Sequence, residues 1–149
     1  MTSEGKKEWV VVGVDGSPAS AMAMAWAARY AKAVGASVRA VMAWHYPAAV
    51  GPAPVGVAPA SVSAEVEQER QDELDKAIKA AFGEPPVIEV ERKIAYGHPS
   101  QVLIEESKNA DLLVVGSHGH GGFAGMMLGS VSTHCVTHAA CPVTVVRTG

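Results

Sequence analysis

Along the chain, short unbroken apolar runs alternate with longer stretches whose apolar residues fall at helical spacing. Trp9–Val14 is a continuous apolar run closed by Asp15–Gly16, which predicts a strand buried on both faces of a parallel sheet. Ser17–Pro18 follows, a capping hydroxyl ahead of a proline suited to a first helical turn, and an alanine-rich helix runs to Val34–Gly35. Ser37–Trp44 repeats the strand pattern. Ser63–Phe82 sets Val66, Leu74, Ala77, Ile78 and Ala81 at helical spacing, with acidic residues early and Gly83 at its end, so one face is buried and one is wet. Pro86–Tyr96 contains a strand in which Ile88, Val90, Arg92 and Ile94 share one side. Gly97–His98–Pro99 opens a helix through Val102, Leu103 and Ile104. A fourth strand, Leu112–Gly116, a helix from about Ser130 to His138 and a last strand, Val143–Val146, complete the series.

Five strands alternating with four helices specify an α/β fold, a parallel sheet with helices on both faces. In such sheets ligands sit beyond the carboxyl ends of the strands, where strand order reverses. At 149 residues the chain is expected to form a single domain, with residues 1–8 as a flexible N-terminus. Four of the nine prolines fall within Pro47–Pro59, beside Gly51 and Gly56, so residues 45–60 form a loop, either a tolerated insertion or a lid.

Composition narrows the classes of function. With 12 basic against 15 acidic residues and no basic run beyond Lys6–Lys7, there is no electrostatic footprint for nucleic acid. Met1–Glu8 is polar, and no apolar stretch approaches the roughly 20 residues needed to span a bilayer, so a cytoplasmic, membrane-free protein is expected. Cys135 and Cys141 fit neither a disulfide framework nor a CxxC redox motif. The acidic run Glu65–Asp75 reads first as a solvated helix face.

The candidate chemistry lies in two turns at strand ends, Gly13-Val14-Asp15-Gly16-Ser17 and Gly116-Ser117-His118-Gly119. If their strands are neighbours, both turns line one crevice. Asp15 is suited to accept hydrogen bonds from ribose hydroxyls, or simply to shape its Asp-Gly turn, and backbone near Met42–Ala43 to pack beside adenine. Gly116 and Gly119 let backbone approach sugar and phosphates, and Gly129–Ser130–Val131 offer amides and a hydroxyl at a helix N-terminus. There is no GxxxxGK[ST] loop and no GxGxxG turn, so a mononucleotide is favoured over a dinucleotide.

These residues resemble the universal stress protein family. The likeness rests on the Gly-x2-Gly-x9-Gly-Ser array at Gly116, Gly119, Gly129 and Ser130, on Val12–Ser17, and on the closing Cys141–Val146, and it extends from Trp9 to Arg147 apart from the Pro-rich loop. The resemblance implies strand order 3-2-1-4-5, an adenine-nucleotide α-hydrolase-like fold, and ATP, with or without magnesium, bound between the first and fourth strands. On matching positions Asp15 would contact ribose, Val14 and Ala43 would neighbour adenine, and Val115, Gly116, Gly119, Gly129, Ser130 and Val131 would hold sugar and phosphates. It also implies a homodimer that pairs the last strand, Val143–Val146, otherwise an exposed apolar edge. His118 and His120 stand where related sequences often carry arginine, which implies weaker charge compensation at the phosphates.

A nucleotide-binding stress-response regulator is therefore expected, rather than an enzyme. Beyond Asp15 the crevice offers only histidines, no lysine or second carboxylate to clamp magnesium, and no catalytic residue is assigned. Slow ATP hydrolysis, a cyclic-AMP-binding variant and a nucleotide-independent interaction module are the alternatives. His134-x3-His138 has the spacing of a metal-binding pair, but the glutamate of HExxH is missing and no metal centre is expected.

Overall fold

The computed structural model describes residues 7–44, 64–118 and 128–148. Nine elements follow in the order β1 (Trp9–Val14), α1 (Pro18–Val34), β2 (Ser37–Trp44), α2 (Ala64–Phe82), β3 (Val90–Tyr96), α3 (Pro99–Ser107), β4 (Leu112–Gly116), α4 (Ser130–His138) and β5 (Val143–Val146). All five strands form one parallel sheet in the order β3-β2-β1-β4-β5. The expected 3-2-1-4-5 order is thus present, and β1 and β4, the strands on either side of the reversal, are neighbours. The expectation for the loop at 45–60 lies outside the described residues, as does most of the N-terminal segment.

The apolar runs pair in the centre because both of their faces need cover. Val10, Val12 and Val14 of β1 point into a core shared with Val38, Ala40 and Met42 of β2, Ala23, Met24, Ala27 and Ala31 of α1, and Leu74, Ile78 and Phe82 of α2. Val11 points the other way, into a smaller core with Val41, Leu113, Val115, Val102 and Leu103 of α3, and Cys135 of α4. Alternation along one strand therefore feeds two cores, with α1 and α2 on one face and α3 and α4 on the other. On α2 the buried stripe is carried by Leu74, Ile78 and Phe82, whereas Val66, Ala77 and Ala81 are only half-buried. Phe82 fills the gap at the helix end as one of the largest enclosed side chains.

The two sheet edges differ in chemistry. β3 exposes Glu91, Arg92 and Lys93, and its polar face is tied down by charge. Glu106 of α3, itself buried, bridges the Lys93 ammonium and the Arg39 guanidinium, which lies 4.8 Å from the centre of the Trp9 ring. β5 carries no charge, and Val143, Thr144, Val145 and Val146 are all half-buried. Charged edge strands resist pairing with another chain, whereas an uncharged apolar edge invites it. Among the described residues, no helix is long and apolar enough to cross a membrane.

Candidate functional site

The helices begin at the carboxyl edge of the sheet, and the starts of α1, α3 and α4, whose cap residues are described, treat their unsatisfied first-turn amides differently. At α1, Ser17 is the cap: its backbone is extended and its hydroxyl accepts the Ser20 N–H at 3.2 Å. Asp15 reinforces the turn by accepting the Ser17 N–H at 2.8 Å, and the Asp15 N–H donates to Ser20 Oγ at 3.3 Å. Gly16, with φ of 81°, takes the left-handed conformation that this Asp-Gly turn requires. At α3 the cap is His98, whose ring accepts the Ser100 N–H at 3.3 Å.

At α4 the cap is Gly129, and among the described residues no side chain caps the helix. Its φ of −77° is open to any residue, so glycine is required here by space. A Cβ on Gly129 would sit 3.0 Å from the His118 Cα and 3.2 Å from the His118 Cβ, closer than such atoms ordinarily come. The helix start is pressed against the end of β4 by a set of bonds on one carbonyl. Ser117 O accepts the Gly129 N–H at 2.7 Å and the buried Ser132 hydroxyl at 2.8 Å, while the Ser117 N–H donates to Val146 O of β5 at 2.9 Å. The Ser117 hydroxyl lies 3.1 Å from His118 Nδ1. The amides of Ser130 and Val131, ahead of the first intrahelical bond, are left without a carbonyl inside the helix.

The sequence-predicted residues fall as follows. β1 and β4 run in register at Val12↔Val114, so continuing both strands brings Val14 and Asp15 beside Gly116 and Ser117. Asp15 is exposed at this junction. Val14 is buried toward α1 and α2; Val115 is buried toward α3 and α4, where Ala43 is half-buried. Gly116 has a packing duty, since a Cβ there would lie 2.8 Å from the Ala19 carbonyl carbon and Cβ. Its lack of a side chain lets α1 settle on β4. Gly129 is buried, Ser130 exposed and Val131 half-buried. Gly119 and His120 lie outside the described residues.

Sequence reasoning missed Ser117 and Ser132, which join β4, β5 and α4. Small hydroxyl residues carry no signal of their own in an apolar pattern. The one available clue was position: Ser130 falls one residue too late to cap the helix, and Ser132 two residues later again. Among the described residues, no group of three or more His, Cys, Asp or Glu side chains is placed to hold a metal ion.

A model of the universal stress protein family matches residues 8–147. A universal stress protein of Mycolicibacterium smegmatis is 40% identical over 139 residues, covering 93% of this chain and 45% of its own length. One from Mycobacterium tuberculosis is 37% identical over 138 residues, with 93% and 45% covered. The chain thus spans about half the length of the curated relatives it matches. Among solved structures, a universal stress protein in complex with cAMP is 27% identical with a TM-score of 0.73, covering 95% of this chain and 98% of that one. A universal stress protein from Archaeoglobus fulgidus in complex with dAMP, 19% identical with a TM-score of 0.64 and 95% and 98% covered, shares the fold.

Proposed function

The chain belongs to the universal stress protein family, and from that premise we propose that it binds ATP at the junction of β1 and β4 as a cytoplasmic stress-response regulator. The observation that carries the reading is the uncapped start of α4. The caps of α1 and α3 each accept a first-turn amide on a side chain, whereas at α4 no side-chain cap bond is made among the described residues, which favours a ligand at the amides of Ser130 and Val131, with Asp15 exposed at the end of the neighbouring strand. Amides and helix dipole there favour phosphate, and Asp15 supplies the acceptor that ribose hydroxyls need. In the proposed pose backbone at the strand ends, at Val14 and Ala43, borders adenine, and Val115, Gly116, Gly119, Gly129, Ser130 and Val131 surround sugar and phosphates. The relative that is 27% identical and carries cAMP supports an adenine nucleotide as the ligand class.

The same reading includes a homodimer formed through Val143–Val146. An uncharged, half-buried edge strand is the side of the sheet on which a second copy would continue the hydrogen-bond ladder. Since β5 is bonded to Ser117 through Val146, such a contact would lie one residue from the phosphate end of the site.

A thermal-shift panel with ATP, ADP, AMP and cAMP, each with magnesium or EDTA, tests the proposal. A nucleotide at about 100 times its dissociation constant raises stability by about 2.7 kcal/mol. ATP is expected to give the largest shift, and Asp15→Ala to weaken it about tenfold in affinity. A shift with cAMP alone would keep the site and change its ligand. No shift with any nucleotide would leave a nucleotide-independent interaction module as the better reading.

A further inference from the structure

The outer face of α4 carries a pair of histidines that the nucleotide reading does not use. His134 and His138 are one helical turn apart and both exposed, with ring centres 6.4 Å apart and planes within 22° of parallel. His134 Nδ1 lies 2.9 Å from the backbone oxygen of Ser130. A carbonyl only accepts, so Nδ1 must carry the proton, and the lone pair of the neutral ring is left on Nε2. Donation of one ring N–H to a backbone carbonyl is the arrangement that fixes tautomer and orientation in metal-binding histidines. The expectation of no metal centre rested on the missing glutamate of HExxH; the ring geometry adds what spacing alone lacks, a histidine already oriented for coordination.

The geometry points to a two-histidine site for a divalent transition-metal ion on α4, with Nε2 of His134 and a ring nitrogen of His138 as ligands and water completing the shell. Metal–nitrogen bonds of about 2.0–2.1 Å require the two ring nitrogens to come within roughly 3–4 Å. His138 is exposed on the solvent side of α4, so its ring can turn toward His134 while His134 keeps its bond to Ser130. Imidazole ligands suit Cu(II), Ni(II) and Zn(II), whereas Mg(II) and Ca(II) prefer oxygen, so the site should discriminate between these classes. With only two protein ligands in place it is an open site, able to take a further donor from solvent or from a second molecule.

The test is calorimetric titration of the full chain with copper(II), nickel(II), zinc(II) and magnesium chlorides at pH 7.5. One tight equivalent is expected for copper, weaker binding for nickel and zinc, and none for magnesium. His134→Ala and His138→Ala should each weaken the first copper equivalent at least tenfold. Both positions are exposed, so circular dichroism should report an unchanged fold. A third variant, Thr133→His with His134→Ala, keeps the number of histidines but sets them five residues apart; it should lose as much affinity as either alanine variant. Copper affinity within twofold of wild type in any of the three would overturn the site, because binding would then come from histidines taken singly.

Discussion

The starts of α1 and α4 stand on neighbouring strands at the same edge of one sheet, yet they are finished in opposite ways. At α1 a serine occupies the cap itself, and Asp15, Ser17 and Ser20 exchange bonds until the turn is closed upon itself. At α4 the cap is glycine, the serine that follows comes one place late, and Ser132 sends its hydroxyl backward to Ser117 instead of forward to an amide. The helix is held from behind and left open in front. A side-chain cap and a bound anion compete for the same N–H groups. A fold that needs one stable helix and one receptive helix at a single edge can divide these roles by moving a serine by one position.

Gly129→Val would break this contrast most severely. The branched side chain would meet His118 backbone that cannot yield cheaply, displacing the helix start. A loss of about 2–3 kcal/mol in urea unfolding is expected, together with disappearance of any nucleotide-dependent thermal shift. Ser132→Ala comes next. It removes a buried hydroxyl from the Ser117 carbonyl and should lower the urea midpoint by the equivalent of about 1–2 kcal/mol at constant slope. Ser17→Ala tests the closed side: about 1 kcal/mol of stability should vanish with the cap, while the shift produced by a nucleotide is preserved. Asp15→Asn sharpens the comparison with the smallest effect. An amide oxygen accepts the Ser17 N–H as a carboxylate oxygen does, so stability should stay within about 0.5 kcal/mol of wild type. A larger fall would mean that the carboxylate's charge, rather than its geometry, holds the turn.

Much of the fold was legible because continuous apolar runs such as Trp9–Val14 and Leu112–Gly116 have only one economical place, the middle of a parallel sheet. Element limits at α1 and α4 followed from Ser17–Pro18 and from Gly129, residues with a positional meaning of their own. The order of the strands did not come from periodicity, which is blind to which strand lies beside which; the family resemblance carried it. In the candidate site, glycine spacing singled out the turn but gave only part of what its glycines do in the fold. Gly116 admits Ala19 of α1, and Gly129 admits His118, and both are contacts between segments distant or looped in sequence. The Glu106 bridge to Arg39 and Lys93 was likewise invisible, since it joins α3, β2 and β3 through side chains that a linear pattern reads as surface.

Cys135 stands on the inner side of α4, wholly enclosed, and burial pushes its thiol from the ordinary value near 9 up to about 11. Between those two values the native chain keeps a proton that the unfolded chain releases, so alkalinity erodes stability over that interval. At neutral pH only the thiolate attacks an electrophile, and almost none exists while the helix lies on the sheet. A thiol-labelling reagent therefore has to wait for α4 to lift. The rate at which Cys135 becomes modified is a clock for the lifting of α4 from the sheet, built into the protein and readable without an added probe.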